Sequence, residues 1–307
     1  PLLAIGFALI LLWEELAHLE NTAWLSSCLL LLITAGAVLG SLVFEKRFWC
    51  RYLCPIGGMN GLFAKLSILE LRAHAGTCSG SCSSYACFKG GPADGEGLAT
   101  AGCPLGTHPA HLSDNRNCVL CLTCVQACPH RSVQLSLRPP AADLRLPLSV
   151  PRGEPLLILI LFGGLVLHWG RPALEGLPMA QQLLLASIEL ALPALVALGL
   201  RRWLGPELWQ QGLYGLLPLL LGLLLARHLP VGMGEAGQIF PVSLGAGWPG
   251  WSADPHVVGF CQSAAVLAGA LSSWWLLRRL LSNEPNSLWV ATGLSASVGC
   301  LGRWLVS

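Results

Sequence analysis

Charge is scarce in this chain. Only 11% of its 307 residues are Asp, Glu, Lys or Arg, where a soluble protein carries about 25%. The deficit excludes a soluble domain of ordinary composition, and hydrophobic residues, 54% of the chain, take its place. No basic stripe interleaved with aromatics is present, which argues against nucleic acid as a partner. Residues 1–13 lack a basic leader and a small-residue cleavage site, so no signal peptide is read there. No internal repeat is evident. The chain starts at Pro1 without a Met, inside one apolar run, and ends inside another. It therefore reads as a fragment whose first and last membrane helices are truncated.

What is abundant is long apolar sequence. Several runs exceed the roughly 18 residues that suggest a membrane span. Residues 1–13 look like the tail of one span, and Glu14, Glu15, His18 and Glu20 form a polar rim after it. Residues 23–44 are long enough to cross the bilayer, and Glu45-Lys46-Arg47 ends that run. Further spans are predicted near 155–169, 180–200, 208–227 and 256–277, with a truncated one from about 287. The Gly/Pro-rich connection 228–255 is too apolar for a plain linker. The expected class is an α-helical polytopic membrane protein in contact with lipid.

Between the apolar runs lies a cysteine-rich insert. Of the thirteen cysteines, Cys50, Cys54, Cys78, Cys82, Cys87, Cys103, Cys118, Cys121, Cys124 and Cys128 all fall between residues 50 and 129. Basic residues gather in the same region, and Arg201-Arg202 and Arg278-Arg279 mark loops that would share its side of the membrane. This asymmetry places the insert on the cytoplasmic side, where thiols stay reduced. Three domains are expected: membrane helices over 1–44, an iron–sulfur domain over 45–153 and membrane helices over 154–307.

The spacing of the thiols identifies their chemistry. Cys118-x2-Cys121-x2-Cys124-x3-Cys128-Pro129 is the ferredoxin run that sets three thiolates around one cubane and lends its fourth to another. Zinc sites use paired C-x2-C motifs with a longer spacer. The earlier set is irregular, Cys78-x3-Cys82-x4-Cys87, with Cys103-Pro104 further on. Together they supply eight thiolates, enough for two [4Fe–4S] clusters. The crossover rule assigns Cys78, Cys82, Cys87 and Cys128 to one and Cys118, Cys121, Cys124 and Cys103 to the other. Strand-like runs at 68–72 and 132–137 bracket these loops, so a small α+β ferredoxin-like domain is expected.

FEKRFWCRYLCPIGG after a membrane helix, then two cysteine clusters and a return to the membrane, resembles the membrane-bound 4Fe–4S polyferredoxins of nitrate and nitrous-oxide respiration, the NapH/NosR group. The resemblance covers about residues 23–140. It implies electron transfer between the quinone pool and a redox protein partner, as a subunit rather than a stand-alone enzyme. An iron–sulfur redox sensor or assembly factor is the competing reading, and a transporter with a regulatory cluster is a third.

Other polar residues invite roles. Cys50 and Cys54 are four apart, on one helical face if the span continues; they read either as a redox dithiol or as a turn that positions the cluster domain. Glu189 lies in LLLASIELALPALVAL, where an acid is costly and points to proton or quinone chemistry. His18, His168, His228 and His256 are each expected at the outer end of a different span, where two of them could hold a haem. His74, His108, His111 and His130 read as supporting residues of the cluster domain. Cys28, Cys261 and Cys300 read as small apolar residues.

Overall fold

The structure, a computed structural model, describes residues 2–19, 22–44, 48–91, 99–145, 153–245, 247, 249–281 and 293. The charges Glu45, Lys46 and Arg47, most of the Gly-rich loop 90–97, the span expected from 287 and Cys300 lie outside the described residues. The chain divides into two compact units, 1–157 and 158–307.

The first unit starts with two apolar helices, α1 (Leu2–Leu16) and α2 (Ala23–Val43). No residue of α2 is fully buried, and most of its apolar side chains are exposed, as a helix surrounded by lipid requires. Its glycines make a close contact. A Cβ on Gly36 would lie 2.2 Å from the Trp49 indole, so the small residue seats that ring. Two short helices follow, α3 (Phe48–Tyr52) and α4 (Pro55–Phe63). Helix α4 runs on into a 3-10 turn, Ala64–Leu66. It packs inward, with Leu62 and Lys65 fully buried and the position of a Gly58 Cβ 2.9 Å from Leu3.

Strands β1 (Leu69–Ala73) and β2 (Val133–Leu137) pair antiparallel, with Leu71 opposite Leu135. The β1–β2 loop carries eight cysteines and three short helices: α5 (Ala75–Gly80), α6 (Ala86–Lys89) and α7 (Thr123–Ala127). After β2 the sequence suggests a stiff proline linker from Pro139. Its first part instead belongs to the domain core, because Asp143 and Leu144 are buried in a 3-10 turn.

Two ion networks brace this loop. Asp143 takes Arg138 and Arg72 as partners and accepts the Asn115 N–H at 3.0 Å. Lys65 pairs with Asp114 at 2.8 Å and Glu154 at 3.6 Å, and Arg116 reaches Glu154 at 3.0 Å. Residues 114–116 are thus held from both sides just before Cys118. The Cys118 N–H in turn donates to the Asn115 carbonyl at 3.1 Å.

Between Glu154 and Leu280 the described residues are mostly helical: α8 (Glu154–Leu174), α9 (Met179–Leu204), α10 (Pro206–Gly215), α11 (Leu217–Glu235), α12 (Ile239–Leu244) and α13 (Pro255–Leu280). Counting α2 and the joined run Pro206–Leu244, five stretches among the described residues are long and apolar enough to cross a membrane. This is an integral membrane protein, mostly helical. Polar groups tie α11 to α13: the Ser273 hydroxyl accepts the Leu219 N–H at 2.9 Å.

The predicted break at residue 228 does not occur. Helix α11 runs on through Pro230 to Glu235. A proline removes the donor for the carbonyl four residues back, here Ala226. Gln262 of α13 supplies the missing donor, with Nε2 2.8 Å from the Ala226 oxygen. A tertiary contact therefore repairs what the local sequence breaks.

Candidate metal centre

The eight thiols of the β1–β2 loop gather around two cavities of similar size, about 310 and 340 Å³ including space open to the surface. Cys78, Cys82, Cys87 and Cys128 line the first. Cys103, Cys118, Cys121 and Cys124 line the second. Cys128 thus leaves its sequence neighbours, because α7 stops at Ala127 and Cys128 is extended (φ −84°, ψ 108°). Cys103 is drawn the other way, to the later cysteines.

The backbone bends hard to achieve this. Tyr85, Leu120, Leu122 and Arg131 all have positive φ, from 49° to 61°. Each is within three residues of a cysteine. A left-handed non-glycine residue costs about 1–2 kcal/mol, and such strain persists where the surroundings over-determine it. Gly102 is left-handed too (φ 80°), and a Cβ there would lie 2.5 Å from the Phe88 oxygen. That oxygen accepts the Cys103 N–H at 3.1 Å. Glycine keeps this bond, which joins the residue after Cys87 to Cys103.

Hydrogen bonds reach several sulfurs. The Ser132 N–H donates to Cys128 Sγ at 3.3 Å and the Thr123 hydroxyl to Cys121 Sγ at 3.4 Å. The Ser132 hydroxyl lies 3.5 Å from Cys78 Sγ and donates to the His74 carbonyl at 3.2 Å. Burial, with the charges of Cys128, Cys82 and Cys78, pushes the Cys87 thiol up to about 11. Burial, with Cys118 and Cys121, takes Cys124 to about 12. Cys87 and Cys124 are therefore protonated at neutral pH when no metal is bound, and ligation by them releases protons.

Four thiols per cavity, with amide and hydroxyl donors aimed at sulfur, suit a soft iron–sulfur group. A single zinc needs its ligands about 2.3 Å from one point. Among the described residues no three His, Cys, Asp or Glu side chains converge in that way. The thiols instead line two openings, four to each, which matches the ligand count of a cubane cluster.

The remaining predicted residues are dispersed. Cys50 and Cys54 do not share one helical face. The long helix stops at Val43, and α3 ends at Tyr52. The N–H groups of both Leu53 and Cys54 donate to the Trp49 carbonyl, at 3.0 and 2.8 Å, and Cys54 then caps α4 with Pro55 in its first turn. The pair thus sits on a turn, with Cys50 exposed.

Glu189 lies in α9 and packs on α8, since a Cβ on Gly170 would meet its carboxyl at 2.5 Å. Its Oε2 is buried without a hydrogen-bond partner. His18 follows α1 with φ 48°. His256 is in the first turn of α13, where its N–H donates to Asp254 at 2.7 Å. His168 and His228 lie within α8 and α11, which continue to Leu174 and Glu235. They are inside their helices rather than at the ends. Cys28 and Cys261 are partly buried in α2 and α13.

Sequence reasoning gave His108 only a supporting place, yet its ring lines the first cavity. The available signal was its position between Cys103 and Cys118 in a Thr-His-Pro run.

Fold and site together define a membrane protein with an iron–sulfur centre. The family model of a 4Fe-4S binding domain matches residues 28–71. The chain is 32% identical over 115 residues to "Putative electron transport protein YccM" of Escherichia coli, covering 36% of this chain and 28% of that protein. It is 27% identical over 106 residues to "Uncharacterized protein MJ0749" of Methanocaldococcus jannaschii, covering 34% and 36%. It is 33% identical over 91 residues to "Protein NirI" of Paracoccus denitrificans, covering 29% and 11%. The chain thus spans from about a tenth to about a third of the length of these relatives. No solved structure matches it. The resemblance to membrane-bound 4Fe–4S electron-transfer proteins stands on these matches.

The matched domain takes in Cys28, Cys50 and Cys54 but none of the eight thiols above. Cys28 lies twelve residues before Gly40 in α2, which is about 18 Å along the axis. Trp49, beside Cys50, packs at Gly40. Cys28 is therefore far from the Cys50–Cys54 turn.

Proposed function

We propose that the chain is a membrane-anchored electron carrier with two [4Fe–4S] clusters in a small α+β ferredoxin-like domain. Cys78, Cys82, Cys87 and Cys128 would hold one cluster, and Cys118, Cys121, Cys124 and Cys103 the other. The domain would occupy residues 45–153, between membrane helices at 1–44 and 154–307. The observation that carries this reading is the sorting of eight thiols, four and four, around two like-sized cavities.

Such a cluster, when bound, supplies one-electron transfer without gain or loss of atoms. The chain's own residues would set its potential. Ser132 and Thr123 give hydrogen bonds to cysteine sulfur, which favour the more negative, reduced state. The hydrogen bond from Cys103 to the Phe88 carbonyl ties the two thiol sets together. The clusters would exchange electrons with the quinone pool and with a redox protein partner, and the cluster domain would face the cytoplasmic side. The concentration of Lys and Arg in the insert supports that orientation.

Quinone turnover moves two protons as well as two electrons. Glu189 supports this part of the reading, because an intramembrane carboxyl with a buried, unpartnered oxygen is a costly feature. Glu189→Gln keeps the shape and removes the acid. Anaerobic stopped-flow mixing of the purified full chain with a soluble quinol should give reduction of the iron–sulfur absorbance. The Gln variant should reduce at least tenfold more slowly, about 1.4 kcal/mol of barrier, with unchanged iron content. Equal rates would leave Glu189 a packing residue on Gly170, and no reduction of the wild type would remove the quinone.

A further inference from the structure

One short segment contributes side chains to both cavities. Thr107 and Pro109 line the cavity of Cys103, Cys118, Cys121 and Cys124. His108, between them, lines the cavity of the other four thiols. Its backbone is extended (φ −77°, ψ 131°), the conformation that sends successive side chains to opposite sides. The segment therefore touches both sites with consecutive residues.

The ring is held in a defined state. Its Nδ1 accepts the Ala110 N–H at 3.2 Å. A neutral imidazole with Nδ1 as acceptor carries its proton on Nε2. Tyr85 and Phe88 pack edge-on against the ring at 5.9 and 5.8 Å, and His111 lies 5.5 Å away. Burial and the nearby His111 hold the imidazole below its ordinary value, so the neutral form prevails. Tyr85 and Phe88 flank Cys87 in sequence, so the loop that presents that thiol also clamps the histidine.

We propose that His108 tunes the first cluster, its Nε2–H donating into the cavity lined by Cys78, Cys82, Cys87 and Cys128. The inference rests on the two-cluster reading above. A hydrogen bond toward cluster sulfur stabilises the added electron and raises the reduction potential. The second cluster meets Thr107 and Pro109 and receives nothing from this nitrogen.

The test is an EPR-monitored redox titration of the anaerobically purified full chain. His108→Phe keeps an aromatic ring at this position and removes the donor. It should retain its iron and make the first cluster at least tenfold harder to reduce, a fall of 59 mV for one electron. The second potential should stay in place. The Cys121→Ser background, expected to keep only the first cluster, assigns the signal that moves. His108→Gln, which restores an N–H donor, should recover most of the shift. If His108→Phe fails to assemble, His108→Leu is titrated in its place with the same expectation. Two unmoved potentials, or two that move together, would overturn the inference. A wild-type protein with no iron–sulfur signal would overturn the two-cluster reading instead.

Discussion

Cys103→Ser should empty the thiol set that Cys103 shares with Cys118, Cys121 and Cys124. The variant is expected to lose about half of the iron. The cluster that disappears should be the one removed by Cys121→Ser, although Cys103 lies almost equally far along the chain from Cys87 and from Cys118. The reason is spatial: Cys103 lines a cavity with Cys118, Cys121 and Cys124, while Cys87 lines the other. Iron analysis and EPR on both single variants and the double variant decide it. The double variant should resemble either single one, retaining the first cluster. If Cys103→Ser instead removes the signal that depends on Cys78 and Cys82, the assignment of the two sets is wrong.

A second large effect is expected at Lys65. The side chain is completely buried and pairs with Asp114 and with Glu154, which is itself 5% exposed. Lys65→Met fills the space but leaves two acids facing each other without their shared cation. Breaking a buried pair costs about 3–5 kcal/mol, a large share of a domain's total of roughly 5–15 kcal/mol. Arg116 still reaches Glu154 at 3.0 Å, so the low end of that range applies. Because residues 114–116 lead directly into Cys118, the second cluster should be released first. Anaerobic bleaching of the iron–sulfur absorbance in denaturant would show a much lower midpoint. Adding Asp114→Asn should restore part of the loss. An unchanged midpoint in the single variant would mean that water screens these charges.

The sequence revealed most about what repeats or alternates. Apolar runs marked the spans because lipid imposes length on a helix, and the strands at 69–73 and 133–137 followed from local alternation. The cysteine spacing pointed to two groups of four because a ferredoxin run lends its fourth thiol to the other cluster. Long-range partners were not legible. Nothing near Pro230 signals that Gln262 will complete the helix there. Nothing in the run 56–66 signals that Lys65 will be buried between acids 49 and 89 residues away. Between the two readings of Cys50 and Cys54 the sequence could not choose, because two N–H groups sharing the Trp49 carbonyl leave no mark on composition. His108 was undervalued for a similar reason: its place at the cavity depends on loops that only folding brings together.

The claim on which the account turns is that eight thiols hold two cubane clusters. Iron and acid-labile sulfide, measured on anaerobically purified full chain alongside its EPR spectrum, test it most directly. The account predicts about eight of each per chain and two distinguishable reduced-cluster signals. About four of each with one signal, or one zinc per chain with no visible absorbance, would contradict it.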